Sequence, residues 1–330
     1  MKEHTNILVL GGGGYIGAHA VIELLDAEYS VVVFDNFSTG EKVNVDKRAK
    51  IFEGNILSKN DLRDVFRKYK FEAVMHFSAL KAPNESMIYP ELYSEVNIVG
   101  SINVLNQMLK SKVYKFIFSS SSSVYGEPLK AYIDEDHPLN PISYYGFTKL
   151  EVEKVLTWYS KITDLNFISL RYFNAAGYDL KSRIKVPEKN APNLIPKIMK
   201  VILKDEKALK IFGSDYKTKD GTCIRDYIHV TDLARAHVKS LSYLDNYNDP
   251  LFINLATGYG HTVLEVLNEI EKQIGYKINF EFTDRREGDP SIVISRSNYD
   301  SNILNWKPLH SDLESIISSV LSVYEIKKIL

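Results

Sequence analysis

The sequence is poor in cysteine. Cys223 stands alone, so no intramolecular disulfide can form and no thiolate set exists to hold a metal. A single thiol reads most simply as a packed one, and a reducing compartment is compatible with it. An excess of either charge is missing too, since 41 basic side chains face 42 acidic ones and leave a formal net charge of −1. That balance gives no field to draw the chain to nucleic acid or an anionic membrane, and it suits a small-molecule partner. Nowhere do about 18 apolar residues run unbroken, so no membrane span is expected. The short run Ile7–Leu10 before four glycines is wrongly built for a secretory leader. A soluble cytoplasmic enzyme is the expectation.

What is present has a clear rhythm. A length of 330 residues allows a generous core and two lobes. The runs Asn6–Leu10, Ser30–Phe34, Ala73–Phe77, Lys115–Phe118 and Asn166–Leu170 are nearly continuous in apolar residues, as strands buried on both faces of a parallel sheet are. Between them Gly17, Val21, Leu24 and Leu25 share one helical face, as do Val152, Val155, Leu156 and Tyr159. The alternation predicts an α/β fold, a doubly wound Rossmann-type parallel sheet with a smaller C-terminal α/β substrate lobe. Pro187, Pro192 and Pro196 break the pattern after Gly177. The boundary is therefore placed near residue 178, with 1–178 as the dinucleotide-binding domain, rejoined by part of 225–250, and 179–330 as mainly the substrate lobe.

Directly after the first strand come Gly11 to Gly14, Tyr15, Ile16 and Gly17, leading into an amphipathic helix. Glycines permit a tight turn and close backbone approach to a pyrophosphate, whose charge then sits on helix N-terminal amides. The run fits both G-x-G-x-x-G and G-x-x-G-x-x-G, and by itself it could be an ordinary turn. Asp35 at the end of the next strand changes the weighing, because a carboxylate there can accept both ribose hydroxyls and would repel a 2′-phosphate. NAD is favoured over NADP.

Ligands of open α/β sheets collect beyond the carboxyl ends of the strands. His76-Phe77-Ser78, Ser119–Ser123 and Tyr172-Phe173-Asn174 all follow expected strands. Tyr145 and Lys149 stand four apart at the start of a predicted helix, so both point to one side. A phenol ordinarily ionises at about pH 10, too high for a base at neutrality. An ammonium group and a positive nicotinamide both favour phenolate, and a serine can bond the same oxygen. In a chain with 21 tyrosines the Tyr-x-x-x-Lys spacing is weak by itself; behind a dinucleotide fold and a serine cluster it becomes a catalytic candidate.

The stretches G-G-G-G-Y-I-G, F-S-S-S-S-S-V-Y-G, Y-Y-G-F-T-K and L-R-Y-F-N-A-A-G together resemble the extended short-chain dehydrogenase/reductases. Within them the resemblance is to the UDP-glucose 4-epimerase family. It is carried by Asp35-Asn36, the block His76–Lys81, the block Pro192–Pro196, the block Asp220–Val230 and the run from Arg285 to Asp289, in order through nearly the whole chain. It implies that Tyr145 is the base, that Lys149 sets its pKa and holds the nicotinamide ribose, and that Ser121 is the catalytic hydroxyl. For NAD it implies Gly11, Gly14, Tyr15, Ile16, Gly17, Asp35, Asn36, Asn55, Ile56, Phe77, Ala79, Lys81, Asn97, Ser119 and Tyr172. For the UDP-sugar it implies Lys81, Ser121, Tyr145, Phe173, Asn174, Asn193, Leu194, Phe212, Arg225, Arg286, Asp289 and Val293. The implied reaction is reversible epimerisation at C4 of a UDP-hexose through a 4-keto sugar, by a homodimer meeting through helices near 91–109 and 145–162.

Without that resemblance, Arg225 and Arg286 would read as surface ion pairs with Asp226 and Glu287. Three positions depart from the family's pattern: Leu10 before the glycines, Asn55 where an aspartate is usual, and Val293 where some members carry a tyrosine. The small Val293 leaves room for N-acetylated UDP-hexoses. Ser122 and Ser123 stand where 4,6-dehydratases need an Asp-Glu pair, which argues against dehydration. The alternatives are another NAD-dependent nucleotide-sugar enzyme, such as a UDP-GlcNAc-specific or UDP-uronate 4-epimerase, or a non-catalytic NAD-binding protein.

Overall fold

A computed structural model of the chain describes residues 6–189, 191–286, 290–297 and 303–326. Strands β1 (Asn6–Leu10), β2 (Ser30–Asp35), β3 (Lys50–Glu53), β4 (Phe71–His76), β5 (Lys115–Ser121) and β6 (Asn166–Tyr172) come from the first half of the chain. The second half adds β7 (Asn174–Ala176), β8 (Leu209–Phe212), β9 (Ile224–His229), β10 (Leu251–Leu255), β11 (Gly260–Thr262), β12 (Phe280–Thr283) and β13 (Ile292–Val293). Seven strands form one sheet in the order β10-β6-β5-β4-β1-β2-β3, every pair parallel. The order reverses between β1 and β4, where the helices that follow the two strands diverge and a crevice opens.

Helices α1 (Tyr15–Asp26), α2 (Lys59–Lys68), α3 (Pro83–Ser86), α4 (Pro90–Tyr93), α5 (Gly100–Lys110), α6 (Tyr144–Ile162), α7 (Leu194–Ile202), α8 (Val230–Asn246), α9 (Val263–Ile274) and α10 (Leu313–Val323) surround the sheets. A π-helical turn, Ser94–Val99, joins α4 to α5. Because strand side chains alternate, Ile7 and Val9 of β1 join Val21 and Leu24 of α1 and Leu233 and Ala236 of α8 on one face. Leu8 and Leu10 join Leu62, Val104, Val152 and Leu156 of α2, α5 and α6 on the other. Burying the sheet on both sides is why its strands read as unbroken apolar runs.

The five expected strands are all found, β1 with the expected ends and the others with ends shifted by up to three residues. Two further strands were not read. Strand β3 is four residues long and bounded by Lys50 and Glu53, and β10 arrives more than 70 residues after its neighbour β6. Beyond β6, strands β7, β11 and β13 all pair with β9, while β8 pairs with β12. A third apolar cluster packs Ala18 and Ile22 of α1 against α7, α9 and α10, so α1 serves both the sheet and the second layer. Helix α9 is punctuated at both ends, by a Thr262/Glu265 capping box and by left-handed Gly275, devices worth about 1 kcal/mol each. No described helix is long and apolar enough to cross a membrane.

Candidate active site

The glycine turn is built so that nothing but glycine fits at its tightest point. A Cβ on Gly17 would lie 2.1 Å from the Gly11 carbonyl oxygen, and Gly11 itself has a φ of +77° with its Cβ position 2.7 Å from Ser78 N. The N-cap of α1 is Gly14, which offers no side chain to the first-turn amides; these amides, including those of Ile16 and Gly17, are left to face an anion. Tyr15 turns its hydroxyl the other way, onto the Gly177 carbonyl at 2.6 Å. Asp35 ends β2 and is buried; its two oxygens accept from Gly13 N and Phe37 N, both at 2.8 Å. Burial raises its carboxyl and these backbone N–H groups oppose the rise. Asn36 bonds Ser38 N at 3.1 Å, and Asn55 accepts from Leu57 N at 2.9 Å while Ile56 packs beneath Gly100.

The serine strand and the catalytic helix meet across the crevice. Strand alternation turns Ser119 and Ser121 to the site and Ser120 away from it. Lys149 Nζ donates to the Ser119 carbonyl at 2.8 Å, and the Ser121 hydroxyl, which accepts from Ser123 N at 3.2 Å, lies on the side of the Tyr145 phenol and favours its ionised form. The Ser119 hydroxyl meets His237 Nε2 at 3.2 Å and favours the ionised form of the Tyr172 phenol, which burial opposes. Helix α6 starts at the right place because Ser143 caps Gly146 N at 3.1 Å. Tyr145 and Lys149 are both buried, and the ammonium lies 5.9 Å from the Tyr145 ring centre. Burial pushes the phenol up to about 12, with Ser121 pulling the other way, and pushes the Lys149 ammonium down to about 7 against the pull of Glu153. Burial thus penalises the charged form of both groups, and outweighs what Ser121 offers the phenol and what Glu153 offers the ammonium.

Asn97 lies in the π-helical turn, a device often found at functional sites. Its oxygen accepts from Leu80 N at 2.8 Å, and its amide donates to Leu80 O and to Thr148 Oγ1, both at 3.0 Å. It thus joins the loop carrying Phe77, Ala79 and Lys81 to the helix carrying Tyr145 and Lys149. Lys81 forms an ion pair with Glu188, and the Phe77 ring lies 4.7 Å from that of His237. Glu188 belongs to a strap, residues 183–189, that lines a pocket together with Gly13 and Tyr15 of the glycine turn. Asn44 grips the strap by accepting from Lys185 N and Val186 N and donating to Val186 O, at 2.8 to 3.1 Å, and Lys189 pairs with Glu41 at 2.6 Å.

The second layer sits beside this. Phe173 packs with Val124, Tyr125 and Leu150 of the catalytic region, and with Val293. Val293 is paired with Arg225 across β13 and β9, and Asn174 donates to the Asp226 carbonyl at 3.0 Å. Arg286 lies over the Phe212 ring at 3.8 Å. Asn193 is the N-cap of α7 and Leu194 its first residue, with no side-chain cap on the helix. Asp226 bonds Thr257, Gly258 and Ser295. Asp289 and Glu287 fall outside the described residues.

Residues 7–256 match the NAD dependent epimerase/dehydratase family. The chain belongs to this family. It is 40% identical to a UDP-glucose 4-epimerase of Lacticaseibacillus casei over 97% of this chain and 96% of that one. The crystal structure of UDP-glucose 4-epimerase from Brucella ovis in complex with NAD superimposes with a TM-score of 0.94 at 36% identity, covering 98% and 99% of the two chains. The UDP-Glc/GlcNAc 4-epimerase of Campylobacter jejuni gives a TM-score of 0.86 at 36% identity, covering 97% and 99%. The donor set of this family member fits NAD: a cradle that a Cβ at Gly17 would fill, uncapped helix amides and a buried acid at the end of β2.

Sequence reasoning overlooked a layer behind the site. Glu153, Arg171, Ser120 and Ser169 form a buried polar cluster, and Asn44 holds the strap. Only the position of Glu153, one turn beyond Lys149, could have signalled it.

Proposed function

We propose that this chain interconverts UDP-glucose and UDP-galactose by epimerisation at C4. The observation that carries the reading is the convergence of Ser121, Tyr145 and Lys149 on one buried spot at the end of β5, in a family member whose glycine turn accepts NAD. When bound, NAD supplies the hydride acceptor. Gly11, Gly14 and Gly17 bring the first-turn amides of α1 to its pyrophosphate, Asp35 takes a ribose, and Lys149 the nicotinamide ribose. Tyr145 Oη takes the proton of the sugar's 4-hydroxyl, with Ser121 bonded to the same oxygen. The positive charge of an oxidised nicotinamide favours the phenolate that burial opposes. Because Tyr145 and Lys149 are buried, that charge is screened less than it would be in water.

Arg225 and Arg286 hold the diphosphate through charge-assisted bonds, with Asn174, Asn193, Leu194, Phe212 and Asp289 around the uridine end. Anchoring the nucleotide and not the hexose lets the sugar present either face to the same phenol. Residues 1–178, with the segment that rejoins the sheet, hold NAD, and 179–330 mainly hold the nucleotide sugar. The enzyme works in the cytoplasm as a homodimer, joined through the exposed apolar residues Leu92 and Val99 near α4–α5 and Trp158 and Ile162 on α6. The half-buried Val293 leaves space beside the sugar, so UDP-N-acetylhexosamines are substrates as well.

The test is direct. Protein purified without added nucleotide should carry NAD and interconvert UDP-glucose with UDP-galactose, and UDP-N-acetylglucosamine in the same assay. A protein that carries NAD but turns over no UDP-hexose would be a binding protein on this fold.

A further inference from the structure

We propose that Glu153 is a positioning residue for the hydride-transfer site: it locks the serine strand in register with the catalytic helix and, one turn from Lys149, places a carboxylate charge near its ammonium. The proposal rests on the epimerase reading given above. Glu153 is buried on α6, one turn beyond Lys149 and on the same stripe of the helix. A buried carboxylate persists only when paired and hydrogen-bonded. Here Oε1 accepts from Ser120 Oγ at 2.7 Å, Ser169 Oγ at 2.8 Å and Arg171 Nε at 2.9 Å, and Oε2 accepts from Arg171 Nη2 at 2.7 Å. Arg171 is also buried and donates to the Tyr125 hydroxyl at 3.1 Å, which in turn donates to Asn254 Oδ1 at 2.6 Å. One carboxylate thereby ties α6 to β5 and β6 directly, and to β10 through Arg171 and Tyr125.

The place where it grips β5 matters most. Ser120 stands between Ser119, whose carbonyl holds Lys149, and Ser121, whose hydroxyl acts on the Tyr145 phenol. Any slip of β5 against α6 changes both contacts at once, and displacements well under 1 Å are enough to cost turnover. Charge adds a second role. The groups that face Lys149 are Tyr145 and Glu153 on α6, His76 on β4, the Phe118 ring and Ser119 carbonyl on β5, and Tyr172 on β6 through Ser119. Glu153 is the carboxylate in that set; its ion pair is with Arg171 at 2.7 Å, and it acts on Lys149 through space from one turn away. Burial drives the ammonium down to about 7, and Glu153 opposes that fall.

Glu153→Gln keeps the shape and the serine contacts but leaves Arg171 a buried cation without its counter-ion. The double variant Glu153→Gln/Arg171→Met buries no unpaired charge, and it carries the test if the single variant does not fold. Lys149 is followed by the pH titration of its 13Cε resonance, alongside bound NAD and kcat and KM for UDP-glucose against pH. In E153Q the Lys149 midpoint should fall by about one unit or more, and in the double variant by less. The alkaline limb of kcat should move with it, kcat should drop about tenfold or more, and KM should stay within about twofold with NAD retained. Folded variants with an unmoved Lys149 midpoint and wild-type kcat would overturn the proposal, as would a loss confined to thermal stability. Wild-type protein that does not epimerise would fail the epimerase reading and this proposal together, whereas active wild type with unmoved variants fails this proposal alone.

Discussion

The two halves of the proposed site are built in opposite ways. On the hydride side Ser119, Ser121, Tyr145 and Lys149 are buried, and Ser119, Tyr145 and Lys149 are each tied to another element by bonds inside the protein. On the nucleotide-sugar side Arg286 and Asn193 are exposed, Arg225 and Val293 half-buried, and the guanidinium of Arg286 rests on an aromatic ring. The difference teaches where each half draws its accuracy. Proton and hydride transfer require a preorganised geometry that substrate binding does not have to create. Diphosphate capture needs reachable charge, which can be ordered by the ligand itself.

The largest break in this comparison is expected at the glycine turn. Gly17→Ala places a Cβ 2.1 Å from the Gly11 oxygen, so the turn must open; the purified variant should contain no bound NAD, read from its absorbance and by nucleotide extraction. On the other side, Arg225→Met should leave NAD in place and raise KM for UDP-glucose by about 10- to 100-fold, the worth of a charge-assisted bond, with kcat changed about threefold at most. If instead kcat collapses and KM holds, Arg225 belongs to the chemistry and the division between halves is wrong.

Acid should loosen the hydride half. His76 and His237 beneath it, and His19 and His229 near α1, are buried, and burial lowers them to about 3 for His76 and about 4 for the others. Their unfolded value lies at about 6.5, so below that pH the unfolded chain takes up protons that the folded chain refuses. Their contribution is present in full above pH ~6.5 and is lost as pH falls toward the folded values. Melting temperature measured from pH 7.5 to 5 should fall steadily, and His237→Gln should flatten part of that slope. The smallest effect is expected at the strap: Asn44→Ala removes three bonds to one peptide segment, and should cost about 1 kcal/mol and speed NAD loss several-fold on dilution. A release rate equal to wild type would mean that the strap does not hold the cofactor.

Most of the sheet was legible because a strand buried on both faces must be apolar throughout, and β1, β2, β4, β5 and β6 are. Strand β3 was hidden by its short length and charged ends, and β10 by the long excursion of chain before it. Among site residues, the family resemblance picks Ser119 and Ser121 out of the serine run, whereas Asp35, Tyr145 and Lys149 could be singled out from spacing because strand ends and one helical turn bring them together. Glu153 and Arg171 could not. Their partner choice is tertiary, and each looks like a solvated charge on its own element. The direction of the Tyr145 shift was also out of reach, since desolvation depends on burial that no local pattern reveals.

The central claim is that the buried Tyr145 hydroxyl moves the proton while the surrounding residues only hold. Tyr145→Phe removes that one oxygen and leaves the ring, the glycine turn and the arginines in place. With bound NAD quantified and interconversion of UDP-glucose and UDP-galactose followed by NMR, turnover should fall roughly 100- to 10,000-fold at unchanged NAD content. Turnover within a few-fold of wild type would contradict the account.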